Sequence, residues 1–347
     1  MKHLHRRAAL RALGAGALLA SAGTFGCTPR SRTQLKVILN WRYQGPHGWF
    51  FLAQDRGYFT AENLDVAFDQ GDGSAAAVPK VASGAYDLGF GDINATIELA
   101  AQHPEDAPVG VYMLYNNTPF AIAVRADGNI RTPRDLEGRN LGGPANDGAL
   151  KLFPIFCERA NIDPSTVEVT ILQPNLREQM LLGGQVDGVF GYQTTIRFGV
   201  LGLGANPETQ IRWIKYADYG LDLYSNAIIA SQRLVQEDPR VIRGFLRALN
   251  RGVRDTIADP VAAVAAVRRR EPLINEELEL QRLRATFGEM NNPEITQIGL
   301  GDVLDDRLQR SIATIAASAN LANPPQLRQV FNRDFLPPLS ERLRSLV

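Results

Sequence analysis

The spacing of apolar residues changes repeatedly along the chain, and each change marks a strand giving way to a helix. Leu35, Val37 and Leu39 alternate with Lys36 and Asn40, which predicts a strand. Tyr43-Gln44-Gly45-Pro46 interrupts it, and a near-helical stripe resumes at Trp49, Phe50, Leu52 and Ala53 until Gly57 stops it. The pattern then repeats. Asn63 to Phe68 reads as a strand, Gln70 to Ser74 as a loop, and the alanine-rich run to Ser83 as a helix. Gly84 to Asp92 gives a turn, a strand and a polar loop, followed by a helix from Ala95 to Gln102 and a strand from Val109 to Leu114. Such alternation predicts an α/β protein.

Phe120 to Val124 reads as a crossover into a second lobe. That lobe contains a helix near Thr132 to Leu136, a strand at Asn140-Leu141 and a glycine-rich loop from Gly142 to Gly148. A helix follows from Ala149 to Ala160, then a strand from Val167 to Leu172 and a helix from Leu176 to Leu182. Gly184 to Tyr192 echoes Gly84 to Asp92, as two lobes of like topology would; chance similarity of two short turns is the alternative. A strand is expected from Ile211 to Tyr216, a loop at Asp218 to Leu221, and Tyr224 to Ala230 as the return crossover. The expected division is lobe 1 at residues 35–119 and 225–330, lobe 2 at 120–224, and a tail at 331–347. Helices at Pro239 to Ala258, Pro260 to Arg270 and Glu276 to Phe287 read as packing, with no chemistry assigned. Ile312 to Val347 reads as helical and polar.

Ligands of open α/β sheets sit beyond the carboxyl ends of the strands. After the first strand that place holds Asn40, Trp41, Tyr43 and His47, flat apolar faces beside directional polar groups. Trp41 and Trp49 as plain core residues are the alternative. Tyr115 and Tyr192 complete the candidate aromatic walls, and Ser74, Asp92, Asn117, Asn146, Gln193 and Asn226 the candidate polar contacts. Ser74 opens a helix, whose free N–H groups suit an anion or a carbonyl, or it is a simple cap. Cations are scarce in these loops, with Arg42 and Arg197 the only close arginines, so the set suits a flat heterocycle better than an anion. The hinge would lie near Thr118 to Ile122 and Leu223 to Ala227, with the ligand stabilising a closed state.

Charge adds a leader. Lysine and arginine together number 37, as do aspartate and glutamate, so the net charge is zero. Met1 to Gly26 holds Lys2, Arg6, Arg7 and Arg11 and no acid, which leaves 33 basic against 37 acidic residues in the rest. A mildly acidic body excludes a nucleic-acid partner on composition. The basic start and the short apolar run from Ala12 to Ala22 predict a cleaved export signal, residues 1–26. Arg6-Arg7-Ala8-Ala9-Leu10-Arg11 resembles a twin-arginine pattern, and Thr24-Phe25-Gly26-Cys27 resembles a lipobox. Cys27 would then carry lipid, with residues 27–34 as a tether; Ala20-Ser21-Ala22 is an ordinary cleavage site that remains open. The four histidines are scattered and Cys157 is the one other cysteine, so neither a metal site nor a cofactor is expected.

LNWRYQGPHGWFFLAQDRGYFTAENLDV, VASGAYDLGFGD, DLEGRNLGGP, LLGGQVDGVFGY and RVIRGFLRALNRGVRDTIADPVAA occur in this order between Leu35 and Met290. Together they resemble the solute-binding proteins of ABC importers for nitrate, taurine, aliphatic sulfonates and thiamine-pyrimidine precursors. The resemblance implies a two-lobe periplasmic-binding-protein-like fold, each lobe a mixed sheet flanked by helices, with two crossover strands. It implies a monomer that captures a small solute and passes it to an ABC permease in the membrane. A thiamine-pyrimidine precursor is the expected solute, with nitrate, taurine, sulfonates or a flavin as alternatives. A sensor or scaffold lipoprotein without an importer also fits. The superfamily includes pyrimidine synthases of thiamine biosynthesis, which resemble this chain but need a lysine and a histidine that Gly89 to Glu98 lacks. The expectation is therefore not an enzyme. Gln193 stands where pyrimidine binders carry an acid, and Asn40 where several carry aspartate.

Overall fold

The computed structural model describes Arg32–Val347, so the export signal, its cleavage site and Cys27 lie outside the described residues. Ten strands form two sheets of five. In chain order they are β1 (Thr33–Ile38), β2 (Leu64–Asp69), β3 (Leu88–Asp92), β4 (Val109–Met113) and β5 (Phe120–Arg125). There follow β6 (Asn140–Gly143), β7 (Glu168–Ile171), β8 (Gly188–Tyr192), β9 (Ile211–Lys215) and β10 (Asn226–Ala230). The first strand takes in Thr33 and Gln34, which the sequence reading left to the tether.

The sheet orders are β2-β1-β3-β10-β4 and β7-β6-β8-β5-β9. In each, a central strand runs parallel to one neighbour and antiparallel to the crossover strand: β3 lies between β1 and β10, β8 between β6 and β5. The internal echo is therefore structural. Gly84 and Gly184 begin the two copies with φ of +74° and +69°, a left-handed turn that glycine makes without a steric cost. This is the two-lobe arrangement of mixed sheets flanked by helices that the sequence predicts.

Trp49 explains why the first helix, Gly48–Asp55, docks where it does. Its ring is fully buried, with Phe50, Phe90, Tyr115 and Phe287 around it at centroid distances of 5.9–6.5 Å. Trp49→Ala should therefore lower unfolding stability by about 3–5 kcal/mol in a denaturant titration. A loss below about 1 kcal/mol would mean that the helix is held by something else.

Three elements differ from expectation. The helix drawn from Ala149 to Ala160 is two pieces, Gly148–Lys151 and Phe153–Ala160, because Pro154 cannot continue the ladder of N–H donors. Asp218 to Leu221 is not open loop: Tyr216–Tyr219 is a 3₁₀ turn closed by Gly220. The tail is mostly not helical. After Asp305–Ser318 there are only short turns, at Leu327–Val330, Arg333–Phe335 and Leu339–Glu341, and Phe331, Phe335 and Leu346 are buried against the first lobe. Phe331 bridges to Gly110 at the edge of β4. Cys157 is buried, and burial followed by the charge of Asp163 pushes its thiol up to about 12. Among the described residues no helix is long and apolar enough to cross a membrane.

Candidate functional site

The two crossovers run side by side and are tied together. Tyr115 and Asn226 share a backbone bond of 2.9 Å, as do Ser225 and Tyr115. Thr118 accepts from the Leu223 N–H at 2.8 Å, and its hydroxyl lies 2.6 Å from the Leu223 carbonyl. Beside these straps lies a cavity of about 360 Å³ between the lobes. Six of the predicted residues line it: Asn40, His47, Tyr115, Asn117, Tyr192 and Gln193.

Their chemistry is set by their neighbours. Burial, then the charge of Arg282, lowers the His47 pKa to about 3, so the ring is neutral. Its Nδ1 accepts the Gln44 N–H at 3.1 Å, which places the proton on Nε2, 2.9 Å from Asn40 Oδ1. Asn40 is thereby oriented with its oxygen engaged and its amide N–H groups to offer. Tyr115 and Tyr192 meet edge to face at 6.0 Å. The Tyr192 hydroxyl spans the lobes, 2.7 Å from both Ser225 Oγ and Asn226 Oδ1. Burial, then the charge of Asp92, holds it well above the ordinary phenol range. Asn117 joins the strap to the Glu276–Met290 helix, accepting from Asn292 at 2.8 Å and donating to the Glu289 carbonyl.

The other six predicted residues lie elsewhere. Trp41 sits over the Arg177 guanidinium, 5.1 Å from it, and borders a hollow of about 10 Å³ with Ser74 and Asp147 and, with Tyr43, a separate one of about 340 Å³. Tyr43 turns away: its hydroxyl donates to the Phe68 carbonyl at 2.7 Å and its ring packs 4.8 Å from Phe51. Neither is a wall of the cavity, because each finds a better partner in its own surroundings. Ser74 is buried with no partner for its hydroxyl, and Gly73 holds the cap position. The Ala75 N–H beside it is taken by the Asn146 carbonyl of the opposite lobe at 3.2 Å. Asp92 caps the Ile93–Gln102 helix through the Asn94 N–H and, with Asn146, borders a separate crevice of about 460 Å³. Asn226 is fully buried in β10.

Sequence reasoning missed one whole wall. The Glu276–Met290 helix, read as packing, delivers Arg282, Thr286, Glu289 and Met290 to the cavity, and β9 delivers Lys215. A polar stripe at positions 282, 286 and 289, at helical spacing beside buried Leu283 and Phe287, was the available signal. The scarcity of cations is corrected too: Arg282 and Lys215 line the cavity, and Arg177 lies buried under Trp41. Much of this charge is already neutralised. Arg282 pairs with Glu279 at 3.0 Å and donates to the Thr195 carbonyl of the other lobe at 3.1 Å. Asp222 pairs with Arg307 at 2.7 Å. Arg177 is held by Glu178 at 2.9 Å and by Asp147 at 3.5 Å. Glu289 accepts from the Thr194 hydroxyl, and crowding by protein raises its pKa.

Comparison with known proteins places this geometry among relatives. A family model described as NMT1/THI5 like matches residues 44–263. The chain is 25% identical over 296 residues to the riboflavin-binding protein RibY of Chloroflexus aurantiacus, covering 83% of this chain and 82% of that one. It is 24% identical over 266 residues to the formylaminopyrimidine-binding protein of Halalkalibacterium halodurans (75% and 78% covered). A 4-amino-5-hydroxymethyl-2-methylpyrimidine phosphate synthase of Schizosaccharomyces pombe is 25% identical over 240 residues (67% and 68% covered). The fold is that of the periplasmic aliphatic sulphonate binding protein SsuA from Escherichia coli, with a TM-score of 0.65, 15% identity and coverage of 89% and 95%.

Proposed function

This chain belongs to the NMT1/THI5-like family, and from that premise we propose that it is the solute-binding component of an ABC importer, with a small planar heterocycle of the pyrimidine type as its solute. The observation that carries this reading is the cavity itself. It lies between two lobes that touch, beside two straps, with Tyr115 and Tyr192 as flat surfaces and a neutral imidazole and carboxamides as its polar groups. A volume of about 360 Å³ is at the small end for ligand sites and fits a solute of one or two rings. Arg282 is already paired to Glu279, and the remaining ammonium, Lys215, shares the cavity with the carboxyl groups of Glu289 and Asp218, so the site is poorly matched to sulfonates or nitrate. The relatives that bind a flavin or a formylaminopyrimidine point the same way.

Binding would work by closure. Arg282, Glu289 and Asn40 belong to one lobe and Thr194, Thr195 and Gln193 to the other, so a solute touching both sets favours the closed form by its differential affinity. We read the protein as a binder rather than a synthase. The segment Gly89 to Glu98 carries neither lysine nor histidine, and its polar residues Asp92 and Asn94 bond to each other at a helix start. The reading includes export, a periplasmic location with lipid on Cys27, a monomeric state and a membrane permease as partner.

A thermal-shift screen tests it. The panel is 4-amino-5-hydroxymethyl-2-methylpyrimidine, formylaminopyrimidine, riboflavin, taurine, an alkanesulfonate and nitrate. A solute at a hundredfold its Kd adds about 2.7 kcal/mol of stability. The pyrimidines are expected to raise the melting temperature. If only the anions do so, the protein is a sulfonate- or nitrate-type receptor and the heterocycle is wrong. A shift with riboflavin alone would replace the pyrimidine by a flavin.

A further inference from the structure

Two opposite charges that line the cavity form no ion pair with each other. Lys215 ends β9 on one lobe, and Glu289 stands near the end of the Glu276–Met290 helix on the other. Both line the cavity, and each is near enough to act on the other's charge. Yet they form no ion pair, and among the described residues the Lys215 ammonium has no hydrogen-bond partner. Opposite charges in a partly enclosed space ordinarily collapse into contact. Lys215 leaves β9 opposite Ala121 of β5, and the Glu289 carboxyl is taken by the Thr194 hydroxyl instead.

We propose that Lys215 and Glu289 read one edge of the solute, the lysine donating to a ring nitrogen or carbonyl and the glutamate accepting from the N–H beside it. This rests on the reading of the cavity as a heterocycle site and narrows it to rings with an adjacent acceptor and donor: the amidine edge of an aminopyrimidine or the imide edge of a pteridine or flavin-like ring. Such an edge completes both residues at once. It also bridges the lobes, because its two partners lie on opposite sides. A sulfonate or nitrate would satisfy Lys215 but meet the carboxylate with a like charge, and a simple amine would do the reverse. Selectivity would thus come from repulsion as much as attraction. Glu289 supplies an acid to the cavity from a helix remote in sequence, while the position after β8 carries Gln193.

Calorimetric titration tests this with two probes, 4-amino-5-hydroxymethyl-2-methylpyrimidine and its 4-dimethylamino analogue, which keeps the ring nitrogen and lacks the donor. The wild type should bind the amino compound at least about tenfold more tightly, as expected when a buried acceptor loses its partner. Glu289→Gln should shrink that preference to about threefold or less, and Lys215→Met should weaken both probes by about tenfold. Unchanged melting temperatures without solute would show that both variants fold. If the wild type binds the amino compound and both variants bind it within about twofold of wild type, the edge-reading pair is wrong while the heterocycle site stands. If the wild type binds neither probe nor any imide such as lumichrome, both readings fall together.

Discussion

Gly73→Ala should hold the lobes apart and weaken solute binding by about a hundredfold or more, a penalty near 2.7 kcal/mol. A Cβ at Gly73 would lie 2.1 Å from the Asn146 carbonyl oxygen and 2.4 Å from its carbon. Those are backbone atoms of the opposite lobe, so no side-chain rotation relieves the collision. Gly148 faces the seam from the other side, where a Cβ would meet Ser74 Oγ at 2.6 Å and Asp92 Oδ2 at 2.7 Å. These two glycines are what allow two helix-start loops to come close enough for the Ala75 N–H to reach the Asn146 carbonyl. The Gly73 clash is across the seam, but its φ of +156° is one an L side chain rarely adopts, so part of the cost falls on the open form and the melting temperature without solute should drop as well. Small-angle scattering of the variant with saturating solute should keep the dimensions of the solute-free form. A variant that compacts and binds like wild type would show that the seam at Gly73 is not part of the bound state. Gly148→Ala should act in the same direction and more weakly, since side-chain ends can give way where backbone cannot.

Strand and helix periods carried most of the fold because each lobe is built from short strands and amphipathic helices whose local pattern agrees with their burial. The echo at Gly84 and Gly184 was readable because the left-handed turn demands the same residue twice. Half of the site was readable for a related reason: His47, Tyr115, Tyr192 and Gln193 follow strand ends, and strand ends of both sheets converge on the cavity. The rest was hidden by distance along the chain. Arg282, Thr286 and Glu289 lie on a helix that reads as ordinary packing unless one knows which face it turns to the other lobe. Trp41 and Tyr43 show the converse. An aromatic in a loop announces a contact and not its direction, and Phe68 and Arg177 claimed them. Ser74 stood at the right end of the right helix, but its turn was met by another backbone rather than by open space.

Raising the pH from 5 to 7 should weaken closure by about fiftyfold through Asp92, approaching one decade per pH unit for one bound proton. Asp92 caps a helix of one lobe and Asp147 caps a helix of the other, and both are buried here, Asp92 beside Gly148 at the seam. Asp147 has Arg177 at 3.5 Å, with Glu178 behind it. Asp92 has only Asn94, while Tyr192 and Asp147 act on it from the far lobe and Glu98 and Lys151 share its crevice. Burial pushes the Asp92 carboxyl up to about 7, the Asn94 bonds oppose this, and the charge of Asp147 adds to it. In an open form water returns, and an ordinary aspartate titrates near 4. The closed form therefore keeps a proton that the open form releases. Its advantage is full below about pH 4, falls as pH rises toward 7, and is gone above that. Glu289, also raised by burial, adds in the same direction; His47 is lowered instead, so any water that opening returns to its ring works against this slope below about pH 6.5, although its bonds to Gln44 and Asn40 lie within its own lobe. Asp92→Asn keeps the cap and removes the proton, so its affinity should lose most of the wild-type slope. Equal wild-type affinity at pH 5 and pH 8, or the same slope in Asp92→Asn, would show that this carboxyl is already buried in the open form and that closure carries no proton with it.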